Sequence, residues 1–131
     1  MKKTIVLTLL TYSILSALTT IAQDRLGELM NDTTPEERAQ MQTNNMKKTL
    51  SLTEDQVDEV SEINLNYARK IQNAYNTSGS KLKRLRKMKA LGEEKDGVLK
   101  KVLTPTQYTT YRENKEEMKE RLRERAKERK G

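Results

Sequence analysis

The chain has 131 residues, a formal net charge of +7, and no Cys, His, Trp or Phe. That length suits one domain, and the missing residue types exclude most catalytic and metal chemistry. Without His or Cys there is no ready base or thiol nucleophile. The five glycines are too scattered for a phosphate-cradling loop, and a transition-metal site would rest on carboxylates and Met alone. The chain therefore reads as a non-enzyme with no cofactor. Hydrophobic residues are 34% of the sequence, a thin supply for a sealed core, so self-association or an open layer of helices is expected.

In chain order, Met1-Lys2-Lys3 precedes an apolar run from Thr4 to Ala22, with Thr20-Ile21-Ala22 as a small-residue exit. This is the pattern of a cleaved secretory signal over residues 1–22. The alternative, a membrane anchor, lacks a basic stop-transfer cluster after Ala22, so no stable membrane insertion is expected. Cleavage would remove Lys2 and Lys3 and no acid, lowering the net charge from +7 to +5. Residues 23–33 hold few apolar side chains and are expected to form a flexible N-terminal arm.

Thr34-Pro35-Glu36-Glu37 opens the first predicted helix, Pro35 to about Thr49, with Ala39, Met46 and Leu50 along one narrow side. The next two helix starts come from a repeated phrase. Leu52-Thr53-Glu54-Asp55-Gln56 and Leu103-Thr104-Pro105-Thr106-Gln107 share Leu-Thr-x-x-Gln, and each precedes an apolar residue, Val57 or Tyr108. The threonine hydroxyl can accept from the N–H of the third helical residue, while the glutamine reaches back to the threonine N–H. Leucine before the cap and the apolar residue after the glutamine form a hydrophobic staple. Pro105 sits at the first helical position, where its missing N–H costs nothing.

From Glu54 to about Asn76, Val57, Val60, Ile63, Tyr67, Ile71 and Ala74 recur at helical spacing as one stripe. Acids crowd the first half of that helix, where the dipole favours them, and Thr77-Ser78-Gly79-Ser80 stops it. A third helix is predicted from Lys81 to about Val102, with Leu82, Leu85 and Met88, then Val98, Leu99 and Val102, on its stripe. Gly92 and Gly97 leave a break open as the alternative to a continuous helix. The two helices match in length, roughly 34 Å at about 1.5 Å per residue, and a short turn joins them, so they are expected to form an antiparallel hairpin. The last helix starts at Pro105 with Tyr108, Tyr111, Met118 and Leu122 on one face. It runs into a charged tail, residues 123–131, supported by close-spaced ion pairs.

One stretch breaks a local rule. Lys81, Lys83, Arg84, Arg86, Lys87 and Lys89 place six bases and no acid at a helix start, where the dipole disfavours them. A solvated face is the ordinary explanation; a basic surface for an acidic partner is the functional one.

A secretory signal, a basic helical chain and two Leu-Thr-x-x-Gln phrases, with Thr53 and Thr104 at matching positions, resemble the Spy/CpxP family of periplasmic proteins. The resemblance covers about Thr34 to Leu122 and carries over Leu52, Thr53, Gln56, Leu103, Thr104 and Gln107, in structural roles. It implies an all-α fold: a thin open bundle of about four helices with a long hairpin, completed by homodimerisation. It also implies a periplasmic, ATP-independent chaperone of the envelope stress response, with unfolded proteins as clients. A domain over residues 34–122 follows. The His residues of metal-binding relatives are missing, so no metal is expected. Candidates for client capture are Lys81, Lys83, Arg84, Arg86, Lys87 and Lys89, with Met41, Met46, Leu85 and Met88 as apolar contacts. The alternatives are a regulator docking on a sensor kinase's periplasmic domain and a binder of envelope polyanions. Nucleic acid is not expected, because aromatics are few and not interleaved with the bases.

Overall fold

A computed structural model describes residues 26–129. Among them there are five helices and no strand: α1 over residues 26–32, α2 (Pro35–Leu50), α3 (Glu54–Thr77), α4 (Lys81–Val102) and α5 (Pro105–Glu128). The expected signal segment, residues 1–22, lies outside the described residues. The chain divides into two units, residues 33–117 and a second one that includes residues 26–32 and 118–129.

The helices start where local chemistry dictates. Glu37 N–H donates to Thr34 Oγ1 at 3.1 Å and Thr34 N–H to Glu37 Oε2 at 2.7 Å. The same reciprocal pair forms at Thr53 and Gln56, 3.1 and 3.2 Å, and at Thr104 and Gln107, 2.9 and 3.2 Å. Ser80 caps α4 by accepting from Lys83 N–H at 3.2 Å. α2 ends on Ser51 in the left-handed region, φ 51° and ψ 53°, which costs a side-chain-bearing residue about 1 kcal/mol. α4 runs unbroken through Gly92 and Gly97, because both keep helical backbone and neither is needed for a close approach.

Within residues 33–117, α2 and α3 are antiparallel: as the number rises from Glu36 to Arg38 to Thr43 on α2, partners on α3 fall from Arg69 and Gln72 to Asn64. α3 and α4 are antiparallel by the same test, through Gln56 with Val102, Tyr67 with Glu94, and Tyr75 with Arg84. The expected hairpin is present. α5 turns back along α4, with Lys100 against the Tyr108 ring and Asp96 bonded to Lys115.

The core gathers at one end of these helices, where α2 and α4 stop and α3 and α5 begin. Met46, Leu50, Leu52, Val60, Leu99 and Leu103 are buried together, with Val57, Ile63, Val102, Tyr108 and Tyr111 packed on them. Both staple pairs, Leu52 with Val57 and Leu103 with Tyr108, belong to this one cluster. Burying these side chains supplies roughly 2 kcal/mol each. At the other end the α3–α4 hairpin tip has Ala74 as its buried apolar residue.

Two expectations are corrected. The stretch 23–33, expected as a flexible arm, is helical over residues 26–32, and Met30 is buried; Leu26, Leu29 and Met30 fall at helical spacing, which supplies the apolar side that composition alone understated. Met46, expected as an apolar contact for clients, belongs to the core, since it lies on the same side of α2 as Ala39, Thr43 and Leu50. Residues 33–117 form the unit that carries both repeated phrases, and near its end Lys115 is bonded to Asp96.

Candidate functional site

Two constructions stand out: a polar knot between the repeated phrases, and the basic hairpin tip. In the knot the two glutamine amides face each other. Gln56 Nε2 donates to Gln107 Oε1 at 2.7 Å, and Gln107 Nε2 donates to Gln56 Oε1 at 3.0 Å. Each amide also donates to a carbonyl at the end of the helix before the other phrase, Gln56 to Val102 and Gln107 to Leu50, both at 3.2 Å. Each oxygen already accepts from its own cap threonine. Every donor and acceptor of both amides is therefore used. Four helix ends meet there, and Leu52 and Leu103 bury the apolar side of the junction.

A second polar cluster fixes α5. Asp96 is 4% exposed, and its carboxylate accepts from Tyr111 Oη at 2.7 Å, Arg112 at 2.6 Å and Lys115 at 2.8 and 2.9 Å. Burial first, and then the hydrogen bond to Asp96, push the Tyr111 phenol far up. Beside it, Lys95 is pushed down to about 8 by burial and by the Lys115 charge, against the pull of Asp96; its ammonium donates to Gln42 at 2.6 Å. Tyr67 donates to Glu94 at 2.8 Å, and this bond, with Lys70, holds the Glu94 carboxyl below its ordinary value. These groups tie helices together.

The tip carries the basic stretch. Lys81, Lys83, Arg86, Lys87 and Lys89 are exposed, and Lys89 approaches Glu93 at 4.0 Å. Arg84 is different: it lies over the Tyr75 ring, 4.6 Å to the centroid, and its Nε is buried without a hydrogen bond. It braces the hairpin rather than reaching for a partner. Leu82 is 58% exposed and Leu85 38%, while Met88 is half-buried. Leu85 and Met88 continue the side of α4 that buries Asp96, Leu99 and Leu103, but α2 begins only at Pro35 and its pairing with α3 places that start near Gln72. The apolar stripe runs beyond its cover.

Met41 is 63% exposed and faces away from the buried side of α2. The Gln42–Lys95 bond sets it level with the middle of α4, ten residues and about 15 Å from Leu85. The structure thus gathers Leu85 and Met88 with five exposed bases, and leaves Met41 apart and Met46 in the core. Asp96 and Asn64 escaped sequence reasoning. Both sit inside apolar stripes, Asp96 three and seven residues before Leu99 and Leu103, and Asn64 between Val60 and Tyr67, which is the available signal. Among the described residues no group of three His, Cys, Asp or Glu could hold a metal, and no helix is long and apolar enough to cross a membrane.

The fold defines an all-α bundle whose helix ends are interlocked through paired cap glutamines. The chain belongs to the family described as a domain of unknown function, DUF4890, whose model matches residues 22–111. That span takes in both repeated phrases and ends on Tyr111. No curated protein and no solved structure matches the chain.

Proposed function

We propose that this protein is a periplasmic, ATP-independent chaperone that holds unfolded envelope proteins at the α3–α4 tip, without a cofactor or a chemical step. One observation carries this: the α4 stripe outruns its cover, leaving Leu82 and Leu85 exposed in an acid-free basic stretch. Unfolded chains present acidic and apolar segments side by side. Charge attraction speeds their encounter, screened over about 8 Å at physiological salt. Two exposed leucines and the adaptable Met88 then hold loosely, which lets a client leave and fold without energy input. The resemblance to Spy/CpxP proteins through the paired Leu-Thr-x-x-Gln phrases supports the same function, and with it homodimerisation.

Light scattering of a reductively unfolded acidic client tests the proposal. Added at near-stoichiometric amounts, the protein is expected to suppress aggregation without ATP, and Lys81→Gln, Lys83→Gln, Arg86→Gln and Lys87→Gln together should abolish most of that suppression. Full suppression by the quadruple variant would contradict capture by the tip. A folded protein that suppresses nothing would leave docking on a sensor kinase's periplasmic domain as the better reading.

A further inference from the structure

We propose that the α3–α4 tip also seats on anionic phospholipid surfaces. From Ile71 to Gly92, through the end of α3 and the first half of α4, the sequence holds six bases and no Asp or Glu. Lys81, Lys83, Arg86 and Lys87 form no ion pair among the described residues. Arg84, stacked on Tyr75, joins the two helices of the tip, so the remaining bases project from a braced element.

Their arrangement suits a plane of phosphates. At 100° per residue, the side of α4 opposite the Arg84–Tyr75 contact carries Leu82, Arg86 and Lys89, with Lys83 and Leu85 at its margins. Two exposed leucines framed by cations on long stems is the pattern of an interfacial helix: the leucines enter the headgroup boundary while the charges stay at phosphate level. Bases spread around most of the helix circumference match diffuse surface charge better than one point ligand. The ring at the tip, Tyr75, lies under Arg84 and is not offered for base stacking, which disfavours single-stranded nucleic acid. Among the described residues, the carboxylate that reaches these bases is Glu93, 4.0 Å from Lys89 at the end of the stretch far from the turn. Each base near an anionic surface strengthens binding by about fivefold.

The seat shares Leu82 and Leu85 with the client surface, so membrane and client should exclude each other, yet lipid binding requires no client and stands or falls separately. Co-sedimentation of the full chain with phosphatidylglycerol vesicles and with phosphatidylcholine vesicles is the test. Binding to phosphatidylglycerol is expected to be at least about 100-fold tighter, falling steeply as salt rises. Lys81→Gln, Lys83→Gln, Arg86→Gln and Lys87→Gln together should remove about 100-fold or more of it, with circular dichroism showing the helices intact. Leu82→Ser with Leu85→Ser should weaken it severalfold and leave the salt dependence in place. Residues 1–22 are common to all these proteins and cancel in the comparison. Equal binding to both lipids, or phosphatidylglycerol binding untouched by the quadruple variant, would overturn the proposal. So would binding of polyglutamate without binding of vesicles, which would assign the tip to acidic protein segments. Holding of unfolded client, measured without lipid, is unaffected by either outcome.

Discussion

Replacing Gln107 by Ala removes four hydrogen bonds at once: those with Thr104 N–H and Leu50 O, and the two with Gln56. Each neutral bond is worth about 1 kcal/mol net. The site is only partly buried, so water takes over some partners, and the expected loss is about 2–3 kcal/mol. Gln56→Ala should cost a similar amount by the same reasoning. The double variant should lose less than the sum, because the two amide–amide bonds are counted in both single variants; the expected coupling is about 1–2 kcal/mol. Urea unfolding followed by circular dichroism, compared at constant slope, measures all three. Gln107→Glu sharpens the test. A carboxylate serves a local capping box equally well, as Glu37 does at Thr34, but it cannot donate to Leu50 or Gln56. Additive single effects within about 0.5 kcal/mol, together with a neutral Gln107→Glu, would refute the knot and leave two independent caps.

Gly92→Ala and Gly97→Ala should each stabilise the protein by about 0.5–1 kcal/mol, since a Cβ at either position meets nothing within 4 Å; thermal unfolding checks both. Ser51→Gly should add about 0.5–1 kcal/mol by relieving the left-handed conformation, read as a raised urea midpoint. Asp96→Asn should destabilise by about 2–3 kcal/mol, because Tyr111, Arg112 and Lys115 lose a buried anion, and should loosen α5 in hydrogen exchange. Lys95 is held at about 8 against an ordinary 10.5, so between those values the unfolded chain binds more protons and stability rises with pH. Above about pH 10 the raised Tyr67 and Tyr111 phenols reverse the slope. Lys95→Met should remove the rise and be more stable than the parent below about pH 8, as urea midpoints across that range would show.

What was legible in the sequence was local. Caps depend on residues three apart, and Thr34, Thr53 and Thr104 therefore announced α2, α3 and α5 at their true starts. The hairpin followed from two apolar stripes of matched length and a Ser/Gly turn. The Gln56–Gln107 knot joins residues 51 apart; each glutamine had a sufficient local role, so nothing in its own neighbourhood pointed to the other. Asp96 was hidden by its neighbours. Amid Glu93, Glu94 and Lys95 it reads as one more solvated charge, and only its place on the Leu99–Leu103 stripe marks it as buried. Arg84 was indistinguishable from the five other bases because its ring partner, Tyr75, comes from the other helix of the hairpin, α3. Met46 shows the converse limit: a narrow stripe says which side is apolar, not whether anything covers it, and here α3 does.

The two polar constructions have a consequence for how the tip works. The Gln knot and the Asp96 cluster both lie at the core end, where the helices are fastened, and Leu82 and Leu85 lie at the end with little burial. If the proposed function holds, stability and contact with clients are separated along the hairpin. Substitutions at the exposed bases should change binding without unfolding the chain, since surface changes away from buried networks usually move stability by less than about 0.5 kcal/mol.

Site-specific photocrosslinking tests the central claim most directly. A photoreactive residue in place of Leu82 should capture an unfolded client and not its folded form, while the same residue at Thr109, exposed on α5, should capture neither. Equal capture from both positions, or none from position 82 while aggregation is suppressed, would contradict holding at the α3–α4 tip.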